Sequence, residues 1–145
     1  MTERPSFESI CMRQALDVSR RSTCRRLQVG CVIYSADFQR MIAWGYNGNA
    51  RGLPNDCDSD AVGACGCVHS EMNAIIKCRE PAETPKVVLC TNLPCKMCSK
   101  AIVNLGGVTR VIYARDYRLK DGLEILKHVG IETICMMPEA FAFEP

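Results

Sequence analysis

Apolar residues recur along the chain with two spacings, one typical of helices and one typical of strands. A helical spacing of three and four residues predicts a helix from about residue 6 to residue 20, with Ser6 as its N-cap. The same spacing predicts three later helices, over residues 69–79, from Pro94 to Gly106-Gly107, and over 121–129. Short β-rich apolar runs predict five strands, over residues 29–34, 41–45, 86–91, 108–114 and 131–136. The predicted order is α-β-β-α-β-α-β-α-β.

This order of elements predicts the α/β fold class. Strand–helix–strand units place parallel strands side by side and lay the helices against the sheet. The short link 35–40 between the first two strands favours an antiparallel hairpin, so we expect a mixed sheet. Periodicity disappears over residues 46–68, where Gly, Asn and Pro predict a long loop. A loop of this length inside a compact domain is usually functional.

The composition indicates one globular domain. The chain has 145 residues, of which 48% are hydrophobic and 23% charged, so we expect a single domain over residues 1–145 with its own core. No apolar run approaches the ~20 residues that span a bilayer, and no secretory leader is visible. Both observations favour a cytoplasmic protein with no membrane partner. The net charge of +2 gives no argument for a nucleic-acid partner.

The eleven cysteines are the most informative part of the composition. An odd count without a secretory leader favours free thiols in a reducing compartment, where clustered cysteines usually bind metals or act in catalysis. Five have apolar sequence neighbours and are expected to be small buried hydrophobes: Cys11, Cys31, Cys78, Cys90 and Cys135. Six lie in polar segments and need another explanation: Cys24, Cys57, Cys65, Cys67, Cys95 and Cys98.

Two short motifs carry the candidate chemistry, and each opens a predicted helix. The first is His69-Ser70-Glu71, and the second is the P-C-x-x-C motif of residues 94–98. Cys95 and Cys98 are three residues apart, so both thiols can face one point, and His69 can supply a third ligand. One imidazole and two thiolates suit Zn²⁺ and leave a fourth position open for water, as in catalytic zinc sites.

Glu71 follows His69 by two residues and is not needed as a ligand beside two thiolates and an imidazole. A carboxylate there can accept a proton from the water that zinc activates, and return it to a ring nitrogen and a departing amine. The pattern therefore predicts hydrolytic deamination with Glu71 as the catalytic residue. Taken alone, C-x-x-C also suits a structural metal or a redox pair, but a redox pair would leave His69 and Glu71 without a role.

H-x-E followed by P-C-x-x-C is the signature of the zinc nucleobase deaminases, and the chain resembles the cytidine deaminase-like superfamily from its first helix to its last strand. Within that superfamily it looks most like the deoxycytidylate (dCMP) deaminases. The resemblance is carried by residues 21–24, 29–32, 45–48 and 69–74, together with Tyr113, Tyr117 and Arg118. It implies a three-layer α/β/α sandwich with a central five-stranded mixed sheet, assembled as a homo-oligomer such as a dimer or a hexamer.

The resemblance also implies the reaction and part of the substrate site. The reaction is zinc-dependent hydrolysis of dCMP to dUMP and ammonia, which feeds dTMP synthesis. By resemblance, Asn47 contacts the deoxyribose, and the backbone around Ser70, where alanine is usual, holds the pyrimidine. For the phosphate we expect Arg26, assisted by Ser22 and the Tyr117 hydroxyl, since a guanidinium pairs with phosphate in bidentate geometry.

Four of the unexplained cysteines suggest a second metal site. By resemblance, some dCMP deaminases, notably phage-type ones, carry a structural zinc on this loop, with ligands at positions matching Cys24 and Cys57. With Cys65 and Cys67 they would give four thiolates and a closed tetrahedral site, Cys24 being expected at the end of the first helix. Such a metal would fix the loop beside the active site. Free surface thiols or oxidation-prone pairs are the alternative.

Three other functions fit parts of the pattern. A tRNA adenosine deaminase suits the P-C-x-x-C motif but not residues 45–48, Asn73 or the near-neutral charge. A free nucleoside deaminase would be indifferent to the 5′-phosphate of its substrate. A non-catalytic zinc-stabilised binding module would have a closed four-ligand site and would tolerate Glu71→Gln.

Overall fold

The computed structural model describes residues 4–138, which form four helices and five strands in the predicted order. The helices are α1 (Phe7–Ser19), α2 (Ser70–Lys77), α3 (Lys96–Leu105) and α4 (Asp121–His128). The strands are β1 (Gly30–Ser35), β2 (Met41–Tyr46), β3 (Lys86–Asn92), β4 (Val108–Arg115) and β5 (Glu132–Cys135). Among the described residues, no helix has the length and apolar character needed to cross a bilayer.

The five strands form one mixed sheet in the order β2-β1-β3-β4-β5. β1 is antiparallel to both β2 and β3, whereas β3, β4 and β5 are parallel to one another. The predicted hairpin and mixed sheet are confirmed. β2 and β3 run in the same direction, but they are not neighbours because β1 lies between them. As a result β2, β3, β4 and β5 all end at one edge of the sheet, which we call the carboxyl edge, and β1 begins there.

Helices cover both faces of the sheet, so the predicted three-layer α/β/α sandwich is confirmed. Side chains alternate along the buried strands, as the two-residue period of a strand requires. On β3, Val87 and Leu89 pack with residues of α1, whereas Val88 and Cys90 pack with residues of α2, α3 and α4. Within residues 4–138, α1 is therefore the one helix on its face of the sheet, and the other three helices share the opposite face.

The start of α2 is held against the sheet by a close approach to β2. A Cβ atom placed on Gly45 would lie 2.5 Å from the carbonyl oxygen of Ser70 and 2.6 Å from the backbone nitrogen of Ala74. Only glycine permits this approach, because any side chain would collide with the helix backbone. The first turn of α2 is thus placed by backbone contact with the sheet.

At the opposite edge, a buried lysine joins two connections between elements. Lys86 is fully buried, and its Nζ donates hydrogen bonds to the carbonyl oxygens of Pro81 (2.8 Å), Thr84 (2.9 Å) and Gly106 (2.9 Å). Pro81 and Thr84 belong to the connection from α2 to β3, and Gly106 ends α3. A buried ammonium group needs such partners, because an unpaired one would be very costly.

The position of Cys24 differs from the expectation that it ends the first helix. α1 ends at Ser19, and backbone hydrogen bonds from Arg21 to Val18 and from Ser22 to Ser19 form a tighter turn beyond it. Cys24 therefore lies four residues beyond the C-cap, Arg20. The end of α1 is at the carboxyl edge of the sheet, because Ser19 lies against Gly30, where β1 begins.

Two of the five cysteines that were expected to be buried are not. Cys11, Cys31 and Cys90 are buried, but Cys78 is half-buried and Cys135 is exposed. Cys78 is the C-cap of α2, where the helix leaves the sheet. Cys135 ends β5, a short strand that is last in the sheet and is paired only with β4 among the strands of the described residues.

Candidate active site and metal centres

A cavity of about 550 Å³ opens at the carboxyl edge of the sheet. It collects the segment before β1, the end of β2, the start of α2, the end of β3 and the segment after β4. Among its lining residues are Arg26, Asn47, His69, Glu71, Cys95 and Tyr117. The fold therefore brings together the H-x-E and P-C-x-x-C motifs that the sequence singles out, as expected from strands that end at the same edge.

Three ligand atoms converge at this cavity. The Nδ1 atom of His69 lies 3.4 Å from the Sγ atoms of both Cys95 and Cys98. His69 is the N-cap of α2, and Cys95 is the N-cap of α3. In a tetrahedral zinc site, a nitrogen and a sulfur ligand are about 3.6 Å apart. The three atoms therefore fit a zinc ion with a fourth position left for another ligand.

The electrostatics of the cluster favour anionic sulfur at Cys95. Hydrogen bonds from Cys98, then from His69, lower the pKa of Cys95 to about 4. The Cys95 Sγ atom also accepts a hydrogen bond from the Cys98 backbone N–H at 3.5 Å, as expected at a helix N-terminus. The same pairing with Cys95 raises the pKa of His69. A thiolate is the form of cysteine that binds metals.

Glu71 lies beside the cluster with only 4% of its surface exposed. Burial raises the pKa of its carboxyl group, and a hydrogen bond from the Ser70 hydroxyl opposes that rise. The Ser70 Oγ atom donates to Glu71 Oε1 at 2.5 Å, and Ser70 itself is fully buried. A buried carboxyl group next to a metal cluster in a cavity is suited to proton transfer.

A second cluster consists of the four thiols of Cys24, Cys57, Cys65 and Cys67, whose sulfur atoms all lie within 4.8 Å of one another. The Cys57 Sγ atom is 3.8 Å from that of Cys24 and 3.9 Å from that of Cys67. Sulfur ligands of a tetrahedral zinc ion are about 3.8 Å apart. The geometry therefore fits a four-thiolate site, and Cys24, Cys65 and Cys67 also line the cavity.

An arginine reinforces the loop around this second cluster. The side chain of Arg25 is 3.2 Å from a carboxylate oxygen of Asp56 and 2.8 Å from one of Asp60. Its backbone N–H donates to the Cys57 Sγ atom at 3.4 Å. The long loop between β2 and α2 is thus tied to the segment that follows α1, although the loop has no helix or strand of its own.

Asn47, for which the resemblance implies a contact with the deoxyribose, directly follows β2 and lines the cavity. Its Oδ1 atom accepts a hydrogen bond from the Val29 N–H at 2.8 Å, and its Nδ2 atom donates to the Leu27 carbonyl at 2.6 Å. The side chain therefore fixes the segment that leads into β1. The sequence did not indicate this second role, because the hydrogen bonds join Asn47 to residues that lie 18 and 20 positions earlier in the chain.

The residues expected at the phosphate are divided between two places. Arg26 and Tyr117 line the cavity. Ser22 is buried outside the lining, and its Oγ atom accepts a hydrogen bond from the Cys24 N–H at 3.2 Å. Sequence reasoning did not assign a site role to Arg118, which also lines the cavity. Its place directly after Tyr117 in the chain is the signal that could have indicated it.

The fold and the two clusters define an α/β domain with donor sets suited to zinc. Residues 5–115 match the sequence profile of the cytidine and deoxycytidylate deaminase zinc-binding region. The chain belongs to this family. The predicted family is confirmed, and zinc is the metal that the family's domain binds.

Individual relatives agree with this assignment. The deoxycytidylate deaminase of Saccharomyces cerevisiae is 36% identical over 140 residues, which cover 88% of this chain and 44% of that protein. The deoxycytidylate deaminase of Schizosaccharomyces pombe is 34% identical over 149 residues, which cover 93% of this chain and 45% of that protein. This chain thus spans less than half the length of these two relatives.

One solved structure is similar to this chain over the whole of its own length. The dCMP deaminase of the cyanophage S-TIM5, crystallised in complex with dCMP and dUMP, superposes with a TM-score of 0.81 and 31% identity. The match covers 93% of this chain and 100% of the cyanophage chain. The cytidine deaminase-like fold is therefore confirmed for this chain.

Proposed function

We propose that the protein catalyses the hydrolytic deamination of dCMP to dUMP and ammonia, a reaction that supplies dUMP for dTMP synthesis. The observation that carries this proposal is the buried carboxylate of Glu71 beside the His69, Cys95 and Cys98 ligand atoms in one cavity. Relatives named deoxycytidylate deaminase and the dCMP complex of the cyanophage enzyme support the choice of substrate.

His69 Nδ1, Cys95 Sγ and Cys98 Sγ are the proposed ligands of the catalytic zinc. Zinc held by three protein ligands acts as a Lewis acid that makes a water molecule acidic near neutral pH. The N-terminal ends of α2 and α3 hold these ligands, so neither cysteine has to move far to bind. The low pKa of Cys95 supports binding as a thiolate.

Glu71 is the proposed proton carrier. Its carboxylate accepts a proton from the attacking water and delivers it to N3 of the pyrimidine, while the water oxygen bonds to C4. A second proton transfer through Glu71 takes a proton from the new hydroxyl to the amino group, the C4–N bond breaks, and ammonia leaves. The atoms balance as dCMP and water giving dUMP and ammonia.

The remaining cavity residues are proposed to hold the nucleotide. Asn47 contacts the deoxyribose, and the backbone of Ser70 contacts the pyrimidine. Arg26 and the Tyr117 hydroxyl contact the phosphate, supported by their place in the cavity lining. The contribution of Ser22 is proposed to be indirect, through the turn that its hydrogen bond with Cys24 supports just before Arg26.

We further propose a second, structural zinc held by Cys24, Cys57, Cys65 and Cys67. The sulfur separations of 3.8 and 3.9 Å support it, since they equal those of a zinc tetrathiolate. Metal analysis of freshly purified, reduced protein measures the number of zinc ions per chain. Two zinc ions per chain are expected, and one per chain would reject the second site.

A panel of substrates tests the proposed reaction. The purified protein is incubated with dCMP, CMP, deoxycytidine, dCTP and tRNA, and ammonia release is measured with zinc quantified in the same samples. We expect the highest kcat/KM for dCMP. Equal values for dCMP and deoxycytidine would reject the monophosphate as substrate, activity on tRNA alone would favour a tRNA adenosine deaminase, and no activity on any of them would favour a binding module.

The setting of the enzyme is also a proposal. We propose a reducing compartment such as the cytoplasm, supported by the two clusters of thiols whose placement suits metal binding. We propose a homo-oligomer, either a dimer or a hexamer. Light scattering after size-exclusion chromatography measures the molar mass, and a value equal to the 16.1 kDa chain would reject assembly.

A further inference from the structure

We propose that the hydroxyl group of Ser70 positions Glu71 by holding its carboxylate in one orientation towards the metal cluster. Ser70 is then a positioning residue, and its action rests on the proposed function of Glu71. Its backbone has a separate place in the proposed substrate site, so this inference concerns the side chain alone.

The contact between the two side chains is direct and buried. Ser70 Oγ donates to Glu71 Oε1 at 2.5 Å, with Ser70 fully buried and Glu71 only 4% exposed. The terminal torsion of a glutamate has a broad energy minimum, so its hydrogen-bonding partners decide its orientation. The Cys98 side chain is the other partner of Glu71, and Ser70 is the one that is not a proposed zinc ligand. A hydrogen bond to one oxygen selects one orientation and fixes where the other oxygen lies.

The donor is itself held firmly. Ser70 is the first residue of α2, and its carbonyl oxygen would lie 2.5 Å from a Cβ atom on Gly45. The backbone of Ser70 therefore rests on β2 and cannot shift towards the sheet. The amide of Asn73, one turn into α2, donates to the Tyr46 carbonyl at 2.9 Å and ties the same turn to the end of β2. The sheet thus sets the position of the hydroxyl.

The orientation of the Glu71 carboxylate affects the rate of proton transfer more than the affinity for substrate. A proton carrier must lie within hydrogen-bonding distance of both the donor and the acceptor of the proton, and displacements near 1 Å can cost about 100-fold in rate. Substrate binding depends on the sugar and phosphate contacts, which Ser70 Oγ does not make in this proposal. Loss of the hydroxyl should therefore lower kcat and leave KM nearly unchanged.

The kinetic test compares two serine variants that each lose a hydroxyl donating to a carboxylate. Ser70→Ala is expected to lower kcat for dCMP roughly tenfold, with KM within about twofold of wild type and zinc content unchanged. Ser35→Ala removes a buried hydroxyl that donates to Asp37 at 2.7 Å at the far end of β1, and is expected to keep wild-type kcat and KM. Wild-type kcat in Ser70→Ala would overturn the proposal.

A structural measurement separates this inference from the proposed function. Crystal structures of the zinc-loaded wild type and Ser70→Ala are compared at the Glu71 carboxylate. One orientation in the wild type and several, or a shifted one, in the variant would support positioning, and the same single orientation in both would overturn it. This comparison needs no turnover, so a wild-type protein that fails to deaminate dCMP would reject the proposed substrate without affecting the result for Ser70.

Discussion

Glu71 shows how burial changes the chemistry of a single side chain. The surrounding protein raises the pKa of its carboxyl group, whereas the Ser70 hydroxyl favours the charged form. A carboxyl group whose pKa is raised accepts a proton more readily, and keeps it to a higher pH, than a surface carboxyl group does. Burying an ionisable group costs free energy, so its place in the cavity indicates function rather than stabilisation.

Replacing Glu71 with glutamine keeps the shape of the side chain and removes its ability to carry a proton. We expect Glu71→Gln to lower kcat for dCMP by about 10²–10⁴-fold. Zinc content should stay at the wild-type value, because the three converging ligand atoms belong to His69, Cys95 and Cys98. Ammonia release and metal analysis measure the two quantities, with the exposed Glu124→Gln as control. Loss of zinc from the folded variant would make Glu71 a ligand and contradict the mechanism.

Arg26 is exposed, and its Nη1 atom donates a long hydrogen bond of 3.5 Å to the carbonyl oxygen of Asp60, which a phosphate bound in the cavity would replace. We expect Arg26→Ala to raise KM for dCMP roughly tenfold or more, since hydrogen bonds to charged groups contribute about 1.5–3 kcal/mol. KM for deoxycytidine, which has no phosphate, should change little. Steady-state kinetics on both substrates measure the difference, with the exposed Arg20→Ala as control. Equal rises for both substrates would indicate a structural role instead.

Among the elements, the loop between β2 and α2 depends most on side-chain chemistry. It has no helix or strand, and a single backbone bridge between Gly48 and Val68 closes its two ends. The side-chain contacts that tie it down are the four-cysteine cluster, the ion pairs of Arg25 with Asp56 and Asp60, and the hydrogen bonds of Asn49 within the loop. Because His69 follows this loop directly, we expect loosening of the loop to displace this proposed zinc ligand.

A Cys57→Ser variant tests this dependence. It removes the sulfur that lies closest to two others in the cluster, and we expect it to lose one zinc ion per chain while the catalytic zinc remains. The melting temperature should fall by roughly 5–10 °C, because metal binding contributes to folding. Metal analysis and a thermal melt measure both effects. Cys135→Ser, which lies outside the cluster, is the control, and an unchanged zinc content in Cys57→Ser would rule out the structural site.

The helices and strands were predicted well because each is marked in the sequence by the spacing of its apolar residues or by residues that end it. All nine lie within about two residues of the predicted bounds, and Gly106 ends α3 with a positive φ of 86° as expected. The insertion of β1 between β2 and β3 was not predictable, because strand order is decided by contacts far apart in the chain. The turn after α1 was missed because no apolar spacing or glycine in the sequence marks it, although its two hydrogen bonds are local.

The candidate site was predictable to the extent that its chemistry lies in short motifs. His69, Glu71, Cys95 and Cys98 were identified from spacing, because helix starts place such residues at one point. The hydrogen bonds from the side chain of Asn47 to Leu27 and Val29 could not be predicted, because they join two segments that share no motif. Side-chain contacts of this kind appear only once the strands are in register.

At the scale of the whole molecule, the carboxyl edge of the sheet and the opposite edge hold different kinds of polar group. The carboxyl edge holds the cavity and both cysteine clusters, with its loops fixed by thiols and ion pairs. The opposite edge holds the buried Lys86, whose ammonium group joins the α2–β3 connection to the end of α3. The start of β3, the central strand, is therefore fixed by a buried charged group.

Because Lys86 is enclosed, its chemical modification can report local unfolding of the structure around it. The other five lysines are exposed, whereas Lys86 has no accessible surface. An amine-acylating reagent should therefore modify those five in the native protein and reach Lys86 only when the chain opens around it. Peptide mass spectrometry over time gives the rate at Lys86, and a rate equal to that at the exposed Lys127 would contradict the enclosure. Measured at increasing denaturant concentrations, slow acylation of Lys86 would report how often the folded sheet opens at that edge.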